Sequence, residues 1–366
     1  MGSNYLMKQI LWYIVGFSSM GIIGYFPNKK LFEYIDLAYK FLMGCLFYLF
    51  FSMILYRFTG YTLPLTTEIN GAISWFQIPA LGSFQPSEFI KIILIVQVAQ
   101  IITQYQKNHA DPTVQDDFHL LLAIAKKTLP PLILIFLQPD TGLCIIIGFT
   151  ILVLLMCSGI KKEYIWILFG LIGLVVALFF YIYFFHVDVL IDVFSAYRIE
   201  RIEAWLDPES HIRGSSNQLY TALLSLGSAG VSGHGMQANI ISIPEAHTDF
   251  IFAAFGQCFG LVGTSFVLIV CILLDLYLCK IAYNTHNKTD RFIVIAVIAM
   301  LFYQQFQNLG MIVGLLPITG ITLPLISYGG SSILSYFIAF GFIQNIIPTA
   351  KKRLKRVRRF KKNNLI

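Results

Sequence analysis

The sequence predicts an all-α, polytopic membrane protein: a bundle of about nine transmembrane helices with a large extracellular loop. Three observations carry that prediction. The chain has 366 residues, 57% of them hydrophobic and only 12% charged, where a soluble domain carries about 25% charged residues. Several apolar runs reach the ~20 residues that a bilayer crossing needs. The polar residues are gathered between those runs, which suits helices whose backbone hydrogen bonds are satisfied internally.

Taken in order, the apolar runs place spans at roughly 9–26, 35–56, 87–105, 128–141, 143–158, 163–186, 249–280, 292–316 and 332–348. The fourth and fifth are short, and the seventh is long enough to tilt or to project. The expectation is one integral membrane domain, 1–366, with polar loops at about 57–86 and 187–248 and a basic tail at 349–366. The first apolar run lacks a small-residue cleavage site and is followed by further spans, so it reads as a span and not as a signal peptide. The six cysteines, Cys45, Cys144, Cys157, Cys258, Cys271 and Cys279, lie in apolar segments without a CxxC pair and read as small buried hydrophobes.

Charge sets the expected orientation. With the tail KKRLKRVRRFKK in the cytoplasm, counting back through the spans brings Lys29, Lys30, Lys107, Lys126, Lys127, Lys161, Lys162, Lys280, Lys288 and Arg291 to the same side. Most of the 26 Lys and Arg then obey the positive-inside rule, and the inverse orientation violates it. The N-terminus and both polar loops fall outside. The tail reads as a topology signal that meets anionic membrane lipids, not as a nucleic-acid site. Outside there is no cytosolic nucleotide, and the sequence has no GxxxxGK[ST] phosphate loop. No His/Cys cluster has zinc-ligand spacing, so no metal ligands are assigned.

The polar segments carry the candidate chemistry. In the loop 57–86, Trp75 stands among apolar residues, which also suits an interfacial anchor. QPSEF then opens a helix, with Pro86 in its first turn and Glu88 near its positive end. Glu88 and Lys91 are spaced to pair, either as a structural ion pair or as a functional one inside a membrane segment. QPDTG places Asp140 in a short break, as a turn residue or a site residue. In AYRIERIEAWLDP, Arg198 and Arg201 are three apart on a short amphipathic helix; they form a solvated face or a phosphate-binding fork at the headgroup level. PEAHTDFIFAAFG puts Glu245, His247 and Asp249 at the mouth of an apolar helix. Thr248 or Asp249 suits a helix N-cap, and the same three ionisable groups suit a reaction site. PITGITLPLISYGGSS, with Ser327 near its end, reads as a broken, re-entrant-like element, tolerated at membrane depth only inside protein or along a cavity. Trp75, Glu88, Asp140, Arg198 and Asp249 are expected to line one outward-open cleft, suited to a substrate with a lipid tail, a phosphate and a polar group.

QPSEF, QPDTG, YRIERIEAWLDP, PEAHTDFIFA and GLLPITGITLPLISYGGSS resemble, in this order, the motifs of the SEDS family (RodA/FtsW/SpoVE), across nearly the whole chain. The resemblance implies a peptidoglycan glycosyltransferase of the bacterial plasma membrane, working in elongation, division or sporulation. Its substrate would be lipid II, the undecaprenyl-pyrophosphate-linked disaccharide pentapeptide, and its partner a class B penicillin-binding protein, a transpeptidase. The Asp of the family's HTD motif falls on Asp249, which becomes the catalytic candidate, held ionised near a helix N-terminus. Trp75, Glu88, Lys91, Asp140, Arg198, Arg201, Glu245, His247 and Ser327 become substrate-binding candidates. A divalent cation such as Mg²⁺ or Mn²⁺, or the arginines, would balance the pyrophosphate; no nucleotide is needed, because the donor carries the energy.

The sequence departs from the family at four places. Ile73 and Ser74 stand where a basic pair is common, Gln257 and Cys258 replace acids in GEELG, and His234 replaces a Lys. LMKQILWYIVGF resembles the start of the family's second span, so ten spans become nine. The departures leave room for two other readings: a flippase for lipid-linked precursors, which broken helices and buried charges also suit, and a non-catalytic scaffold for the transpeptidase.

Overall fold

The computed structural model describes the backbone of residues 2–69, 71–79, 82–109, 111–188, 196–209, 216–236, 238 and 240–363, with side chains throughout except at 2–4, 196–200 and 349–363. Among these residues nine helices are long and apolar enough to cross a membrane: Tyr5–Tyr25, Ile35–Thr59, Pro86–Asn108, Val114–Leu137, Thr141–Ser158, Lys162–Phe185, Ile251–Asn284, Lys288–Ile312 and Gly330–Pro348. The fourth runs for 24 residues and is not the short span that hydropathy suggests. Its first turns are polar, which hides its start: Thr113 closes a capping box with Asp116, and Lys127 inside the helix bonds Asp36 at 3.1 Å. A small feature also escaped the all-α reading. Phe76–Ile78 and Gly82–Phe84 pair antiparallel as a hairpin just before the third span.

The chain divides into two compact units, 1–159 with 274–303 and 328–366, and 160–273 with 304–327. In the first unit Pro86–Asn108 is the most buried span. The first span packs along the last through small residues: a methyl group on Gly16 would fall 2.3 Å from the Phe337 ring, and one on Gly341 2.8 Å from Ile23 Cβ. Such close approach is how helices gain packing where lipid is as apolar as their side chains. Ile73 is buried with Leu49 and Met53, and buried Ser74 donates to the Gln138 carbonyl at 2.9 Å. Ile73 and Ser74, where the resemblance implies a basic pair, are packing positions here.

The second unit is built on Leu219, Phe250, Ala253, Met311, Ile312, Ile318 and Leu323, all buried in one apolar cluster. No residue of Lys162–Phe185 is buried, as suits a helix facing lipid. The long helix Ile251–Asn284 is broken at Gly260 (φ 61°, ψ −154°). The break frees backbone groups, which must find partners in an apolar setting. The Gly/Ser-rich loop supplies them. Leu261 and Val262 donate to the carbonyls of Gly230 and Val231 at 3.0 and 3.1 Å, and His234 and Gly235 donate to those of Gln257 and Cys258 at 2.9 and 3.0 Å. Buried Gln257 fastens the same region: its Nε2 bonds Ser225 Oγ and the Ile241 carbonyl, each at 3.0 Å, and its Oε1 accepts from Ile240 N at 3.1 Å. Gln257, Cys258 and His234, which the resemblance marks as departures, therefore serve this junction. The cysteines are all free, and only Cys271 is buried; Cys157 and Cys279 are exposed on their spans. The expectation of six buried cysteines fails because an apolar helix face can turn to lipid.

Candidate functional site

The first unit holds four of the sequence-predicted residues, two of them joined through one amide. Gln85, the residue before the third span, takes the Trp75 Nε1–H on its Oε1 at 3.1 Å and gives its Nε2–H to Asp140 Oδ2 at 2.9 Å. Only one orientation of the amide satisfies both neighbours. Asp140 is the N-cap of Thr141–Ser158 and accepts from Leu143 N at 3.2 Å. Burial pushes its carboxyl up to about 6, and the Glu88 charge adds to this, against the pull of Leu143 N–H, Lys91 and Gln85. Glu88 and Lys91 are buried and paired directly. Ser335 Oγ donates to Glu88 at 3.3 Å, and Lys91 Nζ lies 4.6 Å from the centre of the Tyr336 ring. Ser331 Oγ accepts the Gln85 N–H at 3.0 Å and bonds the Ser83 carbonyl at 3.1 Å, so the GGSS segment and the hairpin hold Gln85 in place.

The second unit gathers Asp249, Arg201, Glu245 and His247. The segment before Ile251 is a turn, begun by Glu245 in the left-handed region (φ 54°). The Glu245 carbonyl accepts from Thr248 N at 3.0 Å and Phe250 N at 3.4 Å. A left-handed non-glycine residue costs roughly 1–2 kcal/mol, a strain that recurs at functional sites. Helix Ile251–Asn284 begins after the turn, so neither Thr248 nor Asp249 is its immediate cap.

Asp249 is 7% exposed. Burial raises its carboxyl above the ordinary range; its own backbone N–H, the Thr248 hydroxyl and Arg201 oppose this, and the Glu245 charge adds to it. The sequence expects a carboxylate held ionised near a helix terminus; here it stands in a turn, in a buried setting that raises its basicity. Gly320 (φ 71°) lies opposite. A methyl group there would stand 3.6 Å from Arg201 Nη1 and 4.0 Å from Asp249 Oδ2, so the guanidinium and the carboxyl share one small space. Glu245 and His247 are outward members, 4.0 Å apart, with side chains 48% and 39% exposed. Ser327 is 4% exposed, and its Oγ accepts Leu323 N at 2.8 Å, a bond that closes the turn. The side chain of Arg198 lies outside the described residues. No three His, Cys, Asp or Glu side chains among the described residues come together as metal ligands.

The model of a family described as cell cycle protein, FtsW/RodA/SpoVE, matches residues 2–352. The chain belongs to the FtsW/RodA/SpoVE family. It is 30% identical over 354 residues to a "Probable peptidoglycan glycosyltransferase FtsW" of Geobacter sulfurreducens, covering 96% of this chain and 87% of that one. It is 33% identical over 291 residues to the "Peptidoglycan glycosyltransferase MrdB" of Escherichia coli K12, covering 78% and 74%. Its structure matches a chain solved in a study of "polymerization and crosslinking by a peptidoglycan synthase complex", with TM-score 0.70, 25% identity, and 94% and 90% of the two chains covered.

In this FtsW/RodA/SpoVE chain the motif residues fall into two sets, each inside one unit. Trp75, Glu88, Lys91 and Asp140 share the Gln85 network or its neighbours; Arg201, Glu245, His247 and Asp249 surround the turn. Sequence reasoning missed Gln85, Asn308, Gly320 and Ser335. Gln85 lay inside the quoted QPSEF motif, and Asn308 in YQQFQN is an amide in an apolar span, a signal that by default marks function.

Proposed function

We propose that this chain is a peptidoglycan glycosyltransferase that polymerises lipid II into glycan strands at the outer face of the bacterial plasma membrane. The observation that carries the reading is Asp249, a buried carboxyl with raised basicity beside Arg201, in a chain of the FtsW/RodA/SpoVE family. Asp249 takes the proton of the acceptor sugar hydroxyl. The hydroxyl oxygen bonds the donor's anomeric carbon, with inversion from α to β. The bond from that carbon to the pyrophosphate oxygen breaks, and undecaprenyl pyrophosphate leaves with the electron pair. The proton then passes from Asp249 to water. Raised basicity suits a general base at neutral pH, and Arg201, with Arg198, supplies charge where the pyrophosphate develops it.

Trp75, Glu88, Lys91 and Asp140 belong, in this reading, to the lipid II binding surface. The whole chain acts as one membrane domain, in keeping with a single family model that matches residues 2–352. The N-terminus and the loops 57–86 and 187–248 lie outside, on the strength of the basic-residue asymmetry. The partner is a class B penicillin-binding protein, because the matched structure comes from work that joins polymerization to crosslinking. The test is purified protein with lipid II, with and without a candidate transpeptidase, assayed for glycan strands. Product is expected; its absence in both mixtures overturns the reading.

A further inference from the structure

We propose that Asn308 is a positioning residue for this reaction: its side-chain amide ties the Asp249 peptide to the broken segment that faces it, and so sets where the carboxyl stands. The proposal rests on the glycosyltransferase reading of Asp249.

Asn308 lies on helix Lys288–Ile312 and has no exposed surface. Its Nδ2 is 2.7 Å from the Asp249 carbonyl oxygen and 2.7 Å from that of Ile321. A primary amide carries two N–H donors, and both are used. Turning the amide over would set its oxygen against two carbonyl oxygens, so the orientation is fixed. The two carbonyls belong to segments that no regular secondary structure joins: the turn before Ile251, and the Pro-rich break around 317–327. The amide is the brace between them. Its neighbour Gln307 fastens the same break further along, with Nε2 at 3.1 Å from the Pro317 carbonyl.

The brace acts where distance counts. Ile321 follows Gly320, whose missing side chain leaves room for Arg201 Nη1 and Asp249 Oδ2. Holding the Ile321 carbonyl holds Gly320 opposite the carboxyl, and holding the Asp249 carbonyl holds the base itself. Among the described residues, the charged and titratable groups around the carboxyl are Arg201, from helix Ala196–Leu206, and Glu245, on the same turn, with His247 4.0 Å beyond Glu245. Asn308 touches none of these side chains by the bonds described; it acts through the backbone. Misplacing a reacting group by about 1 Å can cost on the order of 10²-fold in rate.

Asn308→Ala removes both donors and Asn308→Asp replaces them with acceptors. Each purified variant is compared with the parent in lipid II polymerisation across substrate concentration and pH, and in backbone hydrogen exchange. The expected result is a fall in kcat of roughly 10- to 100-fold, with KM within about threefold. The acid limb of the pH profile moves to lower pH, because the freed turn lets Asp249 reach water. Exchange rises at 247–254 and 318–323 and not in the first unit. Unchanged kcat in folded protein overturns the proposal, and so does a fall in kcat with an unmoved acid limb and faster exchange everywhere. If Asn308→Ala does not accumulate, Asn308→Gln, with both donors on a longer arm, is read in the same way. If the parent itself makes no glycan, the glycosyltransferase reading falls, and exchange alone decides the brace: a local rise supports it, and no local rise overturns it.

Discussion

Gly260 and Gly233 meet backbone against backbone, so closely that a methyl group on Gly260 would stand 2.4 Å from Gly233 N. Gly260 is also left-handed, at φ 61°. Gly260→Ala therefore combines the cost of a left-handed side chain, roughly 1–2 kcal/mol, with overpacking of about 1–3 kcal/mol. The variant is expected to melt well below the parent in detergent. Gly170→Ala, on an open face with nothing within 4 Å, is expected to melt at or above the parent. Equal melting of the two variants would contradict the junction described for the helix break.

The buried Glu88–Lys91 pair makes a second expectation. Glu88→Gln leaves a buried ammonium without its counter-charge, which typically costs about 3–5 kcal/mol. Adding Lys91→Met removes the orphaned charge, so the double variant should be more stable than Glu88→Gln alone. Thermal melting of the four proteins in a double-mutant cycle measures this coupling. Additive losses would show that the two side chains do not depend on each other.

Asp140 predicts a pH dependence of stability. Its folded carboxyl is pushed up to about 6, above the ordinary aspartate value of 3.8. The folded state then holds this proton more tightly than the unfolded chain does. The group's contribution is fully present below the unfolded value and is lost as pH rises through about 6. The displacement is worth about 2–3 kcal/mol. Across pH 4 to 7 the parent should lose melting temperature relative to Asp140→Asn, which has no such proton. Parallel curves for the two proteins would show that Asp140 is not held in a desolvating site.

Spans and motifs were legible in the sequence because apolar length and clustered polar residues are local properties. The fourth span began too late because its first turns carry Asp116, Asp117, Lys126 and Lys127, and hydropathy cannot see a capping box that makes a polar start helical. The motifs named Glu88, Lys91, Asp140 and Asp249, and the structure places the first three together. Beside them stands Gln85, whose amide bonds both Trp75 and Asp140, the second of them 55 positions away in sequence. Asn308 joins carbonyls 59 and 13 positions away. No pattern of side chains announces such bonds, because the partners are backbone oxygens that every residue has. The buried setting of Asp249 was hidden for the same reason: proximity to a helix start is local, and burial is tertiary.

Orientation rests on charge asymmetry and is open to direct labelling. In a background without native cysteines, Thr67→Cys and Glu209→Cys should react with a membrane-impermeant maleimide added to whole cells. Asn287→Cys should react only after the membrane is opened. Labelling of Asn287→Cys in intact cells, with Glu209→Cys protected, would invert the scheme and carry the proposed reaction to the wrong side.

The central claim is that Asp249 is the base of a lipid II polymerase, and Asp249→Asn tests it most directly. The substitution keeps the size of the side chain and removes its basicity, and it takes a charge out of a buried site, so the protein should accumulate in the membrane as the parent does. General-base catalysis contributes roughly 10²–10⁴-fold. With purified protein, lipid II and the partner transpeptidase, the initial rate of glycan synthesis is the quantity to measure. The account predicts a fall of at least 10²-fold for Asp249→Asn at equal protein and equal melting temperature. Polymerisation at the parental rate would contradict it.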